Sequence, residues 1–121
     1  MAAPNVVNVS SVLGKSDVQA IGITATAITT NSAASNKLYK INSLIVSNVD
    51  GTDAADVTVD LYRSSTAYHI AKTINVPADT TLVVISKDMG IYLEEGDSIR
   101  CTASAAGDLE GVCSYEIIDD A

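Results

Sequence analysis

From residue 38 to residue 119 the chain is a succession of short runs in which apolar and polar side chains alternate, each closed by turn-forming residues. The runs are 38–49, 57–63, 68–76, 81–86, 91–93, 98–105 and 112–118. Between them stand Asp50-Gly51-Thr52-Asp53, Ser64-Ser65, Pro77-Ala78-Asp79, Glu94-Glu95-Gly96-Asp97 and Gly107-Asp108. Successive side chains of an extended chain point to opposite faces, so alternation marks a strand with one buried side and one solvated side. Short strands at regular spacing predict an all-β fold, an antiparallel β-sandwich (jelly-roll or immunoglobulin-like) of about eight strands.

The faces can be assigned run by run. Ile99, Cys101, Ala103 and Ala105 point one way, and Ser98, Arg100, Thr102 and Ser104 the other. Val57, Val59 and Leu61 oppose Thr58, Asp60 and Tyr62. By contrast, Leu44-Ile45-Val46 and Leu82-Val83-Val84-Ile85 are apolar on both faces, which predicts central strands or strands covered by a neighbouring subunit. No stretch carries a sustained helical repeat, although residues 12–20 could form one helical turn.

The N-terminal part is different in character. Residues 1–17 read as an arm or edge segment, with the β-prone run Asn5-Val6-Val7-Asn8-Val9. Residues 18–121 read as one sandwich domain whose first strand is 18–29, followed by a polar loop over 30–36. A β-prone terminus of low charge can pair with the sheet edge of a neighbouring subunit. Val6, Val7 and Val9, with Leu44, Val46, Leu82 and Val84 from the doubly apolar runs, are therefore the candidate subunit contacts.

With 121 residues there is material for one two-layer core. That core must be built from small and branched side chains, because the sequence has no Phe and no Trp. A net charge of −8 repels phosphate backbones and anionic lipid, which argues against nucleic-acid and membrane partners. The first residues lack the basic and apolar regions of a secretory signal, which points to a product kept in the cytoplasm or assembled there.

Reactive constellations are weak. Cys101 and Cys113 are placed symmetrically about Gly107, so a hairpin centred there would set them opposite each other, Ile99 facing Tyr115 and Ala103 facing Gly111. That placement would allow a cross-strand disulfide, but in a cytoplasmic product they are expected as buried thiols that pack as small hydrophobes. His69 is the only histidine and has no nucleophile beside it. Asn48, Asp50, Asp53 and Asp56 form the densest oxygen cluster, and Asp50, Asp53 and Asp56 are the one calcium candidate, against the plain reading of an exposed turn. Glu94-Glu95-Gly96-Asp97 reads as a polar hairpin turn rather than a carboxylate pair flanking a substrate. Tyr62, Tyr68 and Tyr92 could stack on sugars as in a jelly-roll carbohydrate-binding module, whereas Tyr39 and Tyr115 suit the rim of the core. The pattern predicts no catalytic residues, no cofactor and no enzyme.

Four segments together carry a resemblance: Tyr39-Lys40-Ile41-Asn42-Ser43-Leu44-Ile45-Val46-Ser47-Asn48, Val57-Thr58-Val59-Asp60-Leu61-Tyr62, Val76-Pro77-Ala78-Asp79-Thr80-Thr81-Leu82 and Ile91-Tyr92-Leu93-Glu94-Glu95-Gly96-Asp97-Ser98-Ile99. Over residues 37–118 the chain resembles small virion structural proteins of tailed phages, especially those infecting marine cyanobacteria and related bacteria. The resemblance implies a β-sandwich that decorates or cements a capsid by bridging capsomers, or that serves in the neck, tail, baseplate or fibre attachments. It also implies location in the virion after assembly in the host cytoplasm, the major capsid protein or other virion proteins as partners, and a homo-oligomer, with a trimer favoured by local three-fold positions.

Overall fold

The computed structural model describes residues 9–120, and side chains from 11 to 119. Nine strands are found among them: β1 Val9–Ile21, β2 Thr26–Thr30, β3 Lys37–Asn48, β4 Ala55–Arg63, β5 Thr66–Val76, β6 Thr81–Ile85, β7 Ile91–Leu93, β8 Ser98–Ala103 and β9 Leu109–Asp120. One sheet has the order β1-β9-β3-β6, with β7 also paired to β3, and the other has the order β2-β8-β4-β5. All pairs are antiparallel. Except at the β4–β5 hairpin and from β6 to β7, the chain changes sheet at each connection, and its first strand pairs with its last. This is the strand order of a jelly roll, which settles the choice left open between sandwich types.

The alternation places the core as expected. Val57, Val59, Ile99, Cys101 and Ala103 from one sheet meet Ile41, Leu44, Val46, Leu109 and Cys113 from the other, all buried. Tyr39 and Tyr115 stack with ring centroids 5.2 Å apart. The two layers come close at Gly111, where an added Cβ would lie 3.3 Å from Ile21 Cδ1 and from Ile28 Cδ1.

Two buried asparagines tie loops to this frame. Asn48 Nδ2 donates to the carbonyls of Asp53 and Val76, both at 2.9 Å, and its Oδ1 accepts from the Asp50 amide. Asn31 Nδ2 donates to the carbonyls of Lys37 and Leu93, both at 2.9 Å. Each asparagine thus satisfies backbone acceptors at the ends of strands.

Several local expectations are corrected. The stretch 18–29 is not one strand: residues 18–21 finish β1, and β2 begins after a bend. Residues 12–20 are extended rather than helical, because they pair with β9 in unbroken register from Val12↔Ile118 to Ala20↔Glu110. β1 also runs without interruption across position 17, so the boundary drawn there falls inside one strand. Strands β8 and β9 do not form a hairpin about Gly107. They lie in opposite sheets, with Cys101 registered to Val59 and Thr26, and Cys113 to Leu44 and Asp17. The turn over 94–97 likewise joins two sheets rather than two arms of a hairpin, with Gly96 supplying a φ of 89°.

Candidate functional site

The end of the sandwich that carries the β7–β8 turn holds an open depression of about 460 Å³, bounded by Ala33, Arg63, Ser64 and residues 94–97. Arg63 ends β4, and its Nε lies 3.0 Å from both carboxylate oxygens of Asp97. Its Nη2 reaches Glu94 Oε2 at 2.9 Å. Asp97 also accepts from the Glu94 amide at 2.9 Å, while the Gly96 amide donates to the carbonyl of Asn31 at 2.7 Å. The guanidinium is thus committed to the chain's own acids, and it pins the turn to the second sheet. No sequence motif announced this pairing, which forms across 34 residues.

At the opposite end, the acidic loop folds on itself. Asp50 Oδ1 accepts from the Thr52 and Asp53 amides at 2.7 and 3.1 Å, and those bonds hold its carboxyl below the usual carboxylate range. Asp108 is pushed above that range by desolvation, by its hydrogen bond to Asp50 and by the charges of Asp50 and Asp53. Asp56 turns away to accept from Asn75 Nδ2. Among the described residues no three acidic, histidine or cysteine side chains are grouped so as to hold a metal ion, and the calcium candidates Asp50, Asp53 and Asp56 are not brought together.

The remaining candidates are dispersed. His69 is exposed on β5, registered to Asp60. Asp60 is buried on the outer face of the second sheet, where Arg100 donates to it at 2.9 Å and lies 3.9 Å from the centre of the Tyr62 ring. Tyr62 is therefore covered by Arg100. Tyr68 lies on the edge strand β5 and Tyr92 on the other sheet, so the three tyrosines share no platform. Cys101 and Cys113 are both free and buried. Burial raises the Cys101 thiol to about 12 and the Cys113 thiol to about 11, which keeps both protonated and unreactive.

Of the candidate subunit contacts, Val6 and Val7 lie outside the described residues, as does the side chain of Val9. Leu44, Val46 and Val84 are buried in the chain's own core, and Leu82 packs against it. Leu44, Val46 and Val84 therefore present almost no surface to a neighbour, whereas the half-buried Leu82 keeps part of its own. The outer faces of those runs carry their alternates, the half-buried Ile45 and the exposed Val83.

No family model matches the chain, and no curated protein matches it. Among solved structures it is similar to a chain from a study of Bacillus endospore appendages, which are described as a novel family of disulfide-linked pili. The two share 18% identity over 92% of this chain and 88% of the other, with a TM-score of 0.54. At that identity the likeness is one of fold.

Proposed function

We propose that this chain is a non-enzymatic structural subunit of a tailed-phage virion, acting as a capsid decoration or cement protein that bridges capsomers. The observation that supports the reading is where the apolar side chains lie. Val12, Leu13 and Val18 on edge strand β1, and Val83 on edge strand β6, are exposed although the core is closed beneath them. Open edges bearing apolar residues suit a protein that finishes its surface against neighbours. The pili to which this fold is similar are disulfide-linked, whereas both cysteines of this chain are sealed in the core. Its assembly contacts would then be non-covalent.

The test is the copy number of the chain relative to the major capsid protein, by quantitative mass spectrometry of purified virions. A ratio near one, or a simple fraction repeated across the shell, supports decoration. A handful of copies per particle moves the subunit to the neck, tail or fibres, and absence from the particle overturns the virion reading.

A further inference from the structure

The outer face of the first sheet is ordered in cross-strand rows. One row runs through Val18, Val112, Ile45 and Val83, since Val18 is registered to Val112, Val112 to Ile45, and Ile45 to Val83. It crosses all four strands, and its two ends are 75% and 58% exposed. Hydroxyl pairs flank it, Ser16–Ser114 at 2.9 Å on one side and Ser47–Thr81 at 3.2 Å on the other, each partly satisfying the other's hydrogen-bonding needs. Beyond Ser16–Ser114 lies a row of Gly14, Glu116, Lys40 and Tyr92.

We propose that this face is the interface of a two-fold dimer, and that its occupant is the same face of a second copy. The face is self-complementary. Consider a two-fold axis parallel to the strands, between β9 and β3. It lays β1 of one copy over β6 and β7 of the other, and β9 over β3. Val112 then meets Ile45 of the second copy, and Val18 meets its Val83. In the next charged row Glu116 meets Lys40, twice by symmetry. Tyr92, 44% exposed, meets Gly14, where an added Cβ would find nothing within 4 Å. At the β1 end of the apolar row, a depression of about 350 Å³ bordered by Val18, Ala20, Glu110 and Val112 can receive Val83.

Charge and area agree with this occupant. Of the 15 acidic residues, these rows carry only Glu110 and Glu116, so two copies of a chain of net charge −8 can approach through this face. Four strands are about 19 Å across and the longest are about 40 Å long, giving on the order of 700 Å² per copy, close to the roughly 800 Å² of a standard interface. Sheets packed face to face cross at about −30°, an angle that side chains as long as Lys40 and Glu116 can span. The inference stands apart from the virion reading, because it concerns the isolated chain, and its two-fold symmetry differs from the trimer that the family resemblance implies.

The experiment is sedimentation velocity on the purified full chain and on Val83→Glu, Lys40→Glu and Glu116→Lys, with circular dichroism to confirm the native fold of each. The wild-type chain is expected to be a dimer, and Val83→Glu a folded monomer. Lys40→Glu and Glu116→Lys should each weaken the dimer about tenfold or more by placing like charges together. Mixed in equal amounts, those two variants should recover the wild-type affinity, because the heterodimer restores both opposite-charge contacts. A merely structural effect of either charge would not be rescued by mixing. A chain that is monomeric at concentrations on the order of 100 μM, a trimer mass, a Val83→Glu dimer of unchanged affinity, or variants that do not rescue each other would overturn the proposal.

Discussion

The Arg63 guanidinium at the end of β4 clasps the Asp97 carboxylate that precedes β8, with Nε 3.0 Å from both oxygens, and so fixes the turn by which the chain crosses from one sheet to the other. The Asp97 side chain is 4% exposed and that of Arg63 is 40% exposed, so the two halves of the pair are not equivalent. Removing the acid frees an arginine that water can reach, whereas removing the arginine strands a buried charge.

Arg63→Ala should therefore destabilise the protein by about 2 kcal/mol, below the range for a fully buried pair because Arg63 is partly screened by solvent. Urea denaturation at neutral pH measures it. In the double variant Arg63→Ala, Asp97→Asn the loss should be smaller than in Arg63→Ala alone, since no charge is then left unpaired. An equal or greater loss would show that the clasp acts through packing rather than charge.

Asn48 and Asn31 use their amide groups to donate to the carbonyls of strand-end residues Lys37, Val76 and Leu93 and of Asp53 in a loop, so the chemistry of the donor matters more than its size. Asn48→Asp keeps the shape but sets an acceptor against the carbonyls of Asp53 and Val76. It should cost about 3 kcal/mol or more, and Asn31→Asp a similar amount. Thermal unfolding of the two variants checks this. A change of less than about 1 kcal/mol would mean that water replaces those bonds easily.

The β4–β5 turn contains only Ser64 and Ser65, because Arg63 is registered to Thr66. Their φ angles are 52° and 60°, the left-handed region that a two-residue turn of this type demands. Asn-Gly accommodates that geometry better than Ser-Ser. Ser64→Asn with Ser65→Gly should raise stability by about 1 kcal/mol, read as a higher midpoint in urea.

Burial keeps the thiols of Cys101 and Cys113 neutral, at about 12 and about 11, and Tyr115 is also raised, first by desolvation and then by its hydrogen bond to Asp17. A group whose folded pKa lies above its unfolded value contributes stability that is complete below the unfolded pKa and is lost as pH rises toward the folded one. The melting temperature should thus fall progressively above about pH 9, where unfolded thiols ionise first. Native protein should resist alkylation at about pH 8 and react at both cysteines once denatured. Rapid labelling of the folded chain would contradict the closed core.

The strands were legible in the sequence because alternation is a local property: each residue's face is set by its neighbours along the chain. The bounds of β3 to β9 fall within a few residues of the alternating runs, and Cys101, Val57 and Ile99 are buried as their parity required. The doubly apolar runs also pointed to 44–46 and 82–85, yet local pattern could not say which face of a two-sided strand meets the core. There the tertiary structure chose Leu44, Val46 and Val84 for the interior and left Ile45 and Val83 outside.

Which strands become neighbours was settled by the closing of the whole fold. β1 pairs with β9 across almost the whole chain, and β8 and β9, adjacent in sequence, part into different sheets. The same long-range register clasps Arg63 to Asp97 and lines up Val18, Val112, Ile45 and Val83. Local preference and composition sufficed for the runs that became β3 to β9 and for an acidic all-β chain, but not for β1 and β2, where residues 12–20 read as a helical turn and 18–29 as one strand. Pairing partners follow from closing a two-layer core with few uncovered edges, and that is a property of the whole chain at once.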